Sequence, residues 1–138
     1  MPTYAELSVG DDLPAVTKTL DRAQLVKYAA GSGDFNPLHY DPEFPQALAI
    51  GDNIVHGRLK YAALGQLVSD WLAHDGWIRR ISAQYRGMDR RGAPFVCKGT
   101  ISALREDGDL KVVELELWTE SQAGQRTTTG AAEVVLTR

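Results

Sequence analysis

The hydrophobic period of this chain changes once, and that change limits its fold more than any other feature. Between residues 55 and 73, Leu64, Leu67, Val68, Trp71 and Leu72 recur at helical spacing, with Ala62, Ala63, Gly65 and Ser69 offering small surfaces for close approach. From Trp77 onward the pattern alternates: Trp77, Ile81, Ala83 and Tyr85 fall on one face, as do Val113, Leu115 and Leu117. Strands are expected over 78–88, 95–105, 110–120 and 125–137, with Glu106-Asp107-Gly108-Asp109 and Gln122-Ala123-Gly124 as hairpin turns between the last three. Upstream, 15–20 reads as a short strand. Asp21 reads as the N-cap of a helix through about Ala30, ended by Gly31-Ser32-Gly33. A helical piece over 42–48 is expected after Asp41, read as its N-cap, and is stopped by Gly51-Asp52-Asn53.

One long helix followed by an antiparallel meander belongs to the α+β class. The helix is apolar over a wide arc, so its simplest burial is a sheet curled around it, the hot-dog arrangement. Periodicity alone equally allows cystatin-like or cone-shaped helix-on-sheet folds. Gly65 inside the helix costs roughly 1 kcal/mol against Ala, which suggests a packing or ligand-access reason.

With 138 residues, 43% apolar and 24% charged, the chain has the size and composition of one globular domain spanning 1–138. No apolar run approaches the ~20 residues of a membrane span. The first six residues lack the basic and then apolar regions of a secretory leader, so a cytoplasmic location is the default expectation. Cys97, the one cysteine, reads as a buried strand residue. A net charge of −3 opposes sequence-independent nucleic-acid binding. Between Trp77 and Lys98, however, Arg79, Arg80, Arg86, Arg90, Arg91 and Lys98 face a single acid, Asp89. That stretch suits either a basic patch for a phosphate-bearing ligand or acidic carrier protein, or a solvated strand face with unrelated arginines.

The segment Gly33-Asp34-Phe35-Asn36-Pro37-Leu38-His39 carries the chemistry. An acid and an imidazole five positions apart, on a loop stiffened by Pro37, can converge on one water. Together they supply a base to take a proton from water and an acid to return one to carbon. Histidine, with an ordinary pKa of about 6.5, suits that work. Gly57, in Ile54-Val55-His56-Gly57, opens the long helix, where the first N–H groups have no intrahelical partner and can hold a developing oxyanion.

Together these residues resemble the MaoC-like and (R)-specific enoyl-CoA hydratase family, whose hallmark is Gly-Asp-x-Asn-Pro-x-His followed by Ile-x-His-Gly. The likeness is strong over 28–59 and downstream rests on the order of elements. It implies a hot-dog fold and reversible addition of water to a trans-2-enoyl thioester. Asp34 and His39 would activate the water and the Gly57 N–H would hold the thioester oxygen. Asn36, grouped with Gly57 on the substrate side of the site, would orient the loop or the pair; His56 belongs to the motif, and on its own reads as a histidine that fixes the helix entrance by a hydrogen bond. No metal or redox cofactor is implied; CoA or acyl carrier protein would be part of the substrate, and the assembly a homodimer or a heteromer with another hot-dog chain. Many relatives carry a hydrophobic residue after His-Gly and a serine about two turns on, where this chain has Arg58 and then Gly65. Arg58 and Lys60 are candidate phosphate-binding residues, although exposure on the surface is the commoner fate of such side chains. A hot-dog thioesterase and a non-catalytic acyl-binding subunit are the alternative functions.

Overall fold

A computed structural model describes residues 3–137. Residues 1 and 2, which open the stretch read for leader features, and residue 138 lie outside the described residues. After a short strand, β1 (Val16–Lys18), come the helices α1 (Arg22–Ser32), α2 (Pro45–Ile50) and α3 (Gly57–Leu72). The strands β2 (Gly76–Tyr85), β3 (Phe95–Asp107), β4 (Leu110–Ser121) and β5 (Arg126–Leu136) follow. The helices begin and end for local reasons. Asp21 accepts from the Gln24 N–H, and the Gln24 side chain accepts in return from the Asp21 N–H, which closes a capping box on α1. This helix runs past Gly31, because the Ser32 hydroxyl folds back to donate to the Tyr28 carbonyl; only Gly33, at φ +76°, takes the left-handed conformation that ends it. The expected helix at 42 starts later, at Pro45. Asp41 accepts from the Glu43 N–H and makes a turn, leaving Phe44 as the N-cap and Pro45 in the first helical turn.

The five strands form one antiparallel sheet in the order β1-β3-β4-β5-β2. Only β3, β4 and β5 make the meander. The strand that leaves α3 passes to the far side and pairs with β5, so α3 packs against β2, β3, β4 and β5 from inside the curl. Lys60, Ala63, Leu64, Leu67, Val68 and Leu72 are its buried residues, a helical stripe facing Phe95, Ile101, Val113, Leu115, Leu117 and Val134. This is the hot-dog arrangement, and it puts the N-terminus of α3 beside the loops that precede it.

The alternation expected in β2 fails at one point. Ile78 pairs with Val134 and Arg80 with Glu133, so Arg79 is an extra residue in the strand. This bulge turns Ile78 and Ile81 toward the core together and sends Trp77 to the outer face, opposite Val135 and 47% exposed. Gly65 has no packing reason within the chain, since a methyl group there would meet nothing within 4 Å.

Candidate active site

The loop after α1 is built from its own turn formers. The Asp34 carboxylate accepts from the Asn36 N–H, and the Asn36 side chain accepts from the Leu38 N–H, winding Pro37–His39 into one 3-10 turn. The Asn36 side chain is thus spent on the turn and is itself exposed. The turn lays the His39 ring against the segment before α3. There His39 Nδ1 lies 2.8 Å from the Ile54 carbonyl oxygen. A carbonyl only accepts, so Nδ1 carries the hydrogen and the neutral ring keeps its lone pair on Nε2. That Nε2 stands 3.8 Å from Asp34 Oδ2, with the His39 side chain 10% and the Asp34 side chain 40% exposed. The separation is too long for a direct hydrogen bond and short enough for both atoms to reach one small group.

His56, the N-cap of α3, is fully buried. Its Nε2 donates to the Asp34 carbonyl at 3.3 Å, its face stacks on His39 at 3.8 Å, and the Tyr28 ring meets it edge-on at 4.9 Å. Burial, and then the neighbouring His39, push its pKa below the ordinary histidine value. His56 thus fixes the helix entrance, and it also holds the main chain of Asp34.

Asp34, His39 and His56 offer potential metal-ligating atoms within 4.8 Å of one another. The two imidazole planes, however, are stacked and only 20° apart. One nitrogen of each ring is already committed to a main-chain carbonyl, His39 Nδ1 to Ile54 and His56 Nε2 to Asp34.

Gly57 opens α3, and its N–H has no acceptor among the described residues. A side chain there would bring a Cβ to 3.0 Å from the Tyr85 ring, so glycine is what allows that tyrosine to close over the helix end. A cleft of about 540 Å³ lies alongside, lined by Tyr28, Arg58, Tyr61, Ala62, Ala83 and Tyr85. Burial raises the Tyr28 hydroxyl pKa, and the charge of Arg58 works against that rise.

Arg58 is exposed at this cleft, but Lys60 is not available to any phosphate. It is 1% exposed, and its Nζ donates to the Gly87 carbonyl (2.8 Å), Asp89 Oδ2 (3.0 Å) and the Thr127 carbonyl (3.4 Å). The three donors of an ammonium are thereby all engaged inside the protein. Thr127, bonded in turn to Thr119, also donates to Asp89. Most of the suggested basic patch is likewise paired within the chain. Arg91 grips Asp52 through two nitrogens, Arg79 pairs with Asp107 and Glu133, Lys98 pairs with Glu120, and Arg90 donates to the Ile50 carbonyl.

Sequence reasoning also passed over Asn53, which is fully buried and donates to the Leu38 and Asp41 carbonyls on either side of His39. Nothing in its sequence setting marked it beyond a turn.

The MaoC-like domain model matches residues 6–129. The (R)-specific enoyl-CoA hydratase of Aeromonas caviae is 32% identical over 122 residues, covering 88% of this chain and 90% of that protein. A solved structure of the A. caviae (R)-hydratase involved in PHA biosynthesis superposes with a TM-score of 0.86 at 30% identity, covering 95% of this chain and 98% of that one. A chain of the ChsH1-ChsH2 complex of Mycobacterium tuberculosis superposes at 0.78 with 21% identity, over 94% of this chain and 98% of that one, a likeness of fold. The chain belongs to the MaoC-like domain family, as a hot-dog hydro-lyase of the hydratase and dehydratase type.

Proposed function

We propose that the protein adds water reversibly and syn across a trans-2-enoyl thioester of CoA or acyl carrier protein, giving the (R)-3-hydroxyacyl thioester. The observation that carries this reading is the facing pair of His39 Nε2 and Asp34 Oδ2 at 3.8 Å, with the histidine tautomer set by Ile54. One water held between them loses a proton to the pair as its oxygen bonds to C3. The electron pair of the double bond moves toward the thioester, and the enolate-like oxygen is held by the Gly57 N–H. The proton then returns from the pair to C2 on the same face, so atoms and charge balance. The thioester is the electron sink, and the chemistry calls for no metal or redox cofactor.

Arg58 at the mouth of the cleft is positioned to meet a phosphate of the substrate's carrier. We read the assembly as a homodimer or a heteromer with another hot-dog chain. Two features support this: the outer edge of β2 has no strand partner among the described residues, and a structural relative is a two-protein complex. No described helix is long and apolar enough to cross a membrane, and a cytoplasmic site of action is part of the proposal.

The test is loss of enoyl-thioester absorbance from crotonyl-CoA and from a longer trans-2-enoyl-CoA, with free thiol followed in parallel. Hydration without thiol release is expected. Thiol release would replace the hydratase with a thioesterase, and binding without turnover would indicate a non-catalytic acyl-binding subunit.

A further inference from the structure

The segment preceding α3 holds both members of the facing pair, and it does so through buried groups that touch no reacting atom. His56 secures Asp34 by its carbonyl. His39 is secured in two ways: its ring donates to Ile54 O, and its main chain is bracketed by Asn53. The Asn53 Nδ2 group donates to the Leu38 carbonyl at 3.0 Å and to the Asp41 carbonyl at 2.7 Å, so a single planar amide fixes the loop immediately before His39 and two residues after it.

Behind Asn53 the segment is itself anchored. The Arg91 N–H donates to Asn53 O, the Val55 N–H donates to Asp89 O, and Ile54 and Arg90 form an antiparallel bridge. Asp89 is in turn pinned by Lys60 and Thr127. Asn53 is therefore the point at which a rigid interior meets the loop that carries His39.

The side chain is fully buried, yet its Oδ1 has no partner among the described residues. A buried acceptor left in that state costs stability, so the contribution of this side chain lies in its two N–H donors. These are the two hydrogens of one amide nitrogen, splayed apart in a plane toward two carbonyls, which among uncharged side chains of this size only asparagine supplies.

We propose that Asn53 is a positioning residue for the hydration, setting the distance of His39 Nε2 from Asp34 by clasping the loop at Leu38 and Asp41. This rests on the hydratase reading given above. Asparagine-to-aspartate is the sharpest perturbation, because it keeps the shape and turns two donors into acceptors aimed at two carbonyl oxygens.

The experiment compares the wild-type chain with Asn53→Asp and with the milder Asn53→Ser, checking folding by thermal melting. Hydration of crotonyl-CoA gives kcat and KM, and nitrogen-15 NMR of the histidine side chains gives the tautomer of each ring. The expected result for Asn53→Asp is a kcat lower by about 100-fold, as for a reacting group displaced by about 1 Å, with KM changed less than about threefold. The His39 ring should shift from hydrogen on Nδ1 toward a mixture, while His56 keeps its state. Asn53→Ser should show the same changes to a smaller extent.

Folded variants with wild-type kcat and an unchanged His39 tautomer would overturn the proposal and leave the hydratase reading intact. Failure of both variants to fold would overturn it too, marking Asn53 as structural. If the wild-type chain hydrates neither substrate, the hydratase reading falls on its own, and the His39 tautomer still decides whether Asn53 positions the ring.

Discussion

Replacing Lys60 with methionine removes one charge from the interior and strands another. Lys60 is 1% and Asp89 4% exposed, so the carboxylate that remains is almost wholly shut off from water. Breaking a buried pair on one side costs ~3–5 kcal/mol, because the surviving charge is desolvated and unpaired. The other Lys60 contacts change that figure little. Thr127 O still accepts from the Arg86 and Gly87 N–H groups, and the carbonyl that loses its Lys60 bond belongs to the half-buried Gly87. At ~4 °C per kcal/mol for a domain of this size, Lys60→Met should lower the melting temperature by ~12–20 °C. Lys60→Met combined with Asp89→Asn removes both charges and leaves only neutral polar groups incompletely paired, a cost of ~1–3 kcal/mol. The double variant should therefore be more stable than the single one. Urea unfolding of wild type, both single variants and the double variant gives the coupling directly, provided the dependence on urea keeps one slope across the set. A Lys60→Met variant within ~1 kcal/mol of wild type, or a double variant no better than Lys60→Met, would refute this assignment of a buried ion pair.

Two further outcomes follow from the burial of titratable groups. The His56 pKa is held below that of an unfolded histidine, about 6.5, so the unfolded chain binds more protons and stability should fall as pH drops below ~6.5 toward the folded value. Urea midpoints at pH 7.5 and 5.5 measure the loss, which His56→Gln should reduce. The Cys97 thiol, fully buried in β3, is pushed up to about 11 by burial. It should react with a thiol reagent at pH 8 only at the rate of global opening and become fast in denaturant; rapid labelling of native protein would contradict its placement.

The features legible in the sequence were those set by local periodicity and local chemistry. The helical stripe from Leu64 to Leu72, the capping Asp21 and the glycines of both hairpin turns each act within a few residues, and the structure has them where expected. Strand boundaries came within three residues for the same reason. Trp77 was assigned to the wrong face because a bulge at Arg79 inserts one residue into a period of two, and nothing in Trp-Ile-Arg-Arg-Ile announces it. The passage of β2 to the far side of β5 is a tertiary choice that no hairpin signal encodes.

Within the site, Asp34, Asn36 and His39 share one short stretch with recognisable turn chemistry, and Gly57 opens a recognisable helix start. Asn53 and the Lys60–Asp89 pair act through contacts between distant segments. A signal for Lys60 did exist: it lies on the same helical stripe as Ala63, Leu64 and Leu67, and Asp89 is the one acid in a basic stretch. Read together, a cation on a core stripe and an isolated acid downstream suggest burial as a pair and not a phosphate site.

The central claim is that Asp34 and His39 together activate one water. Its most direct test is the steady-state hydration of crotonyl-CoA, or of whichever trans-2-enoyl-CoA the wild-type chain accepts, by Asp34→Asn and His39→Ala variants shown by melting to be folded. Each should lose at least ~100-fold in kcat with thermal stability close to wild type, and the double variant should be little worse than the more damaged single one, as for residues that act as a unit. Either variant retaining wild-type kcat in the folded state would contradict the account.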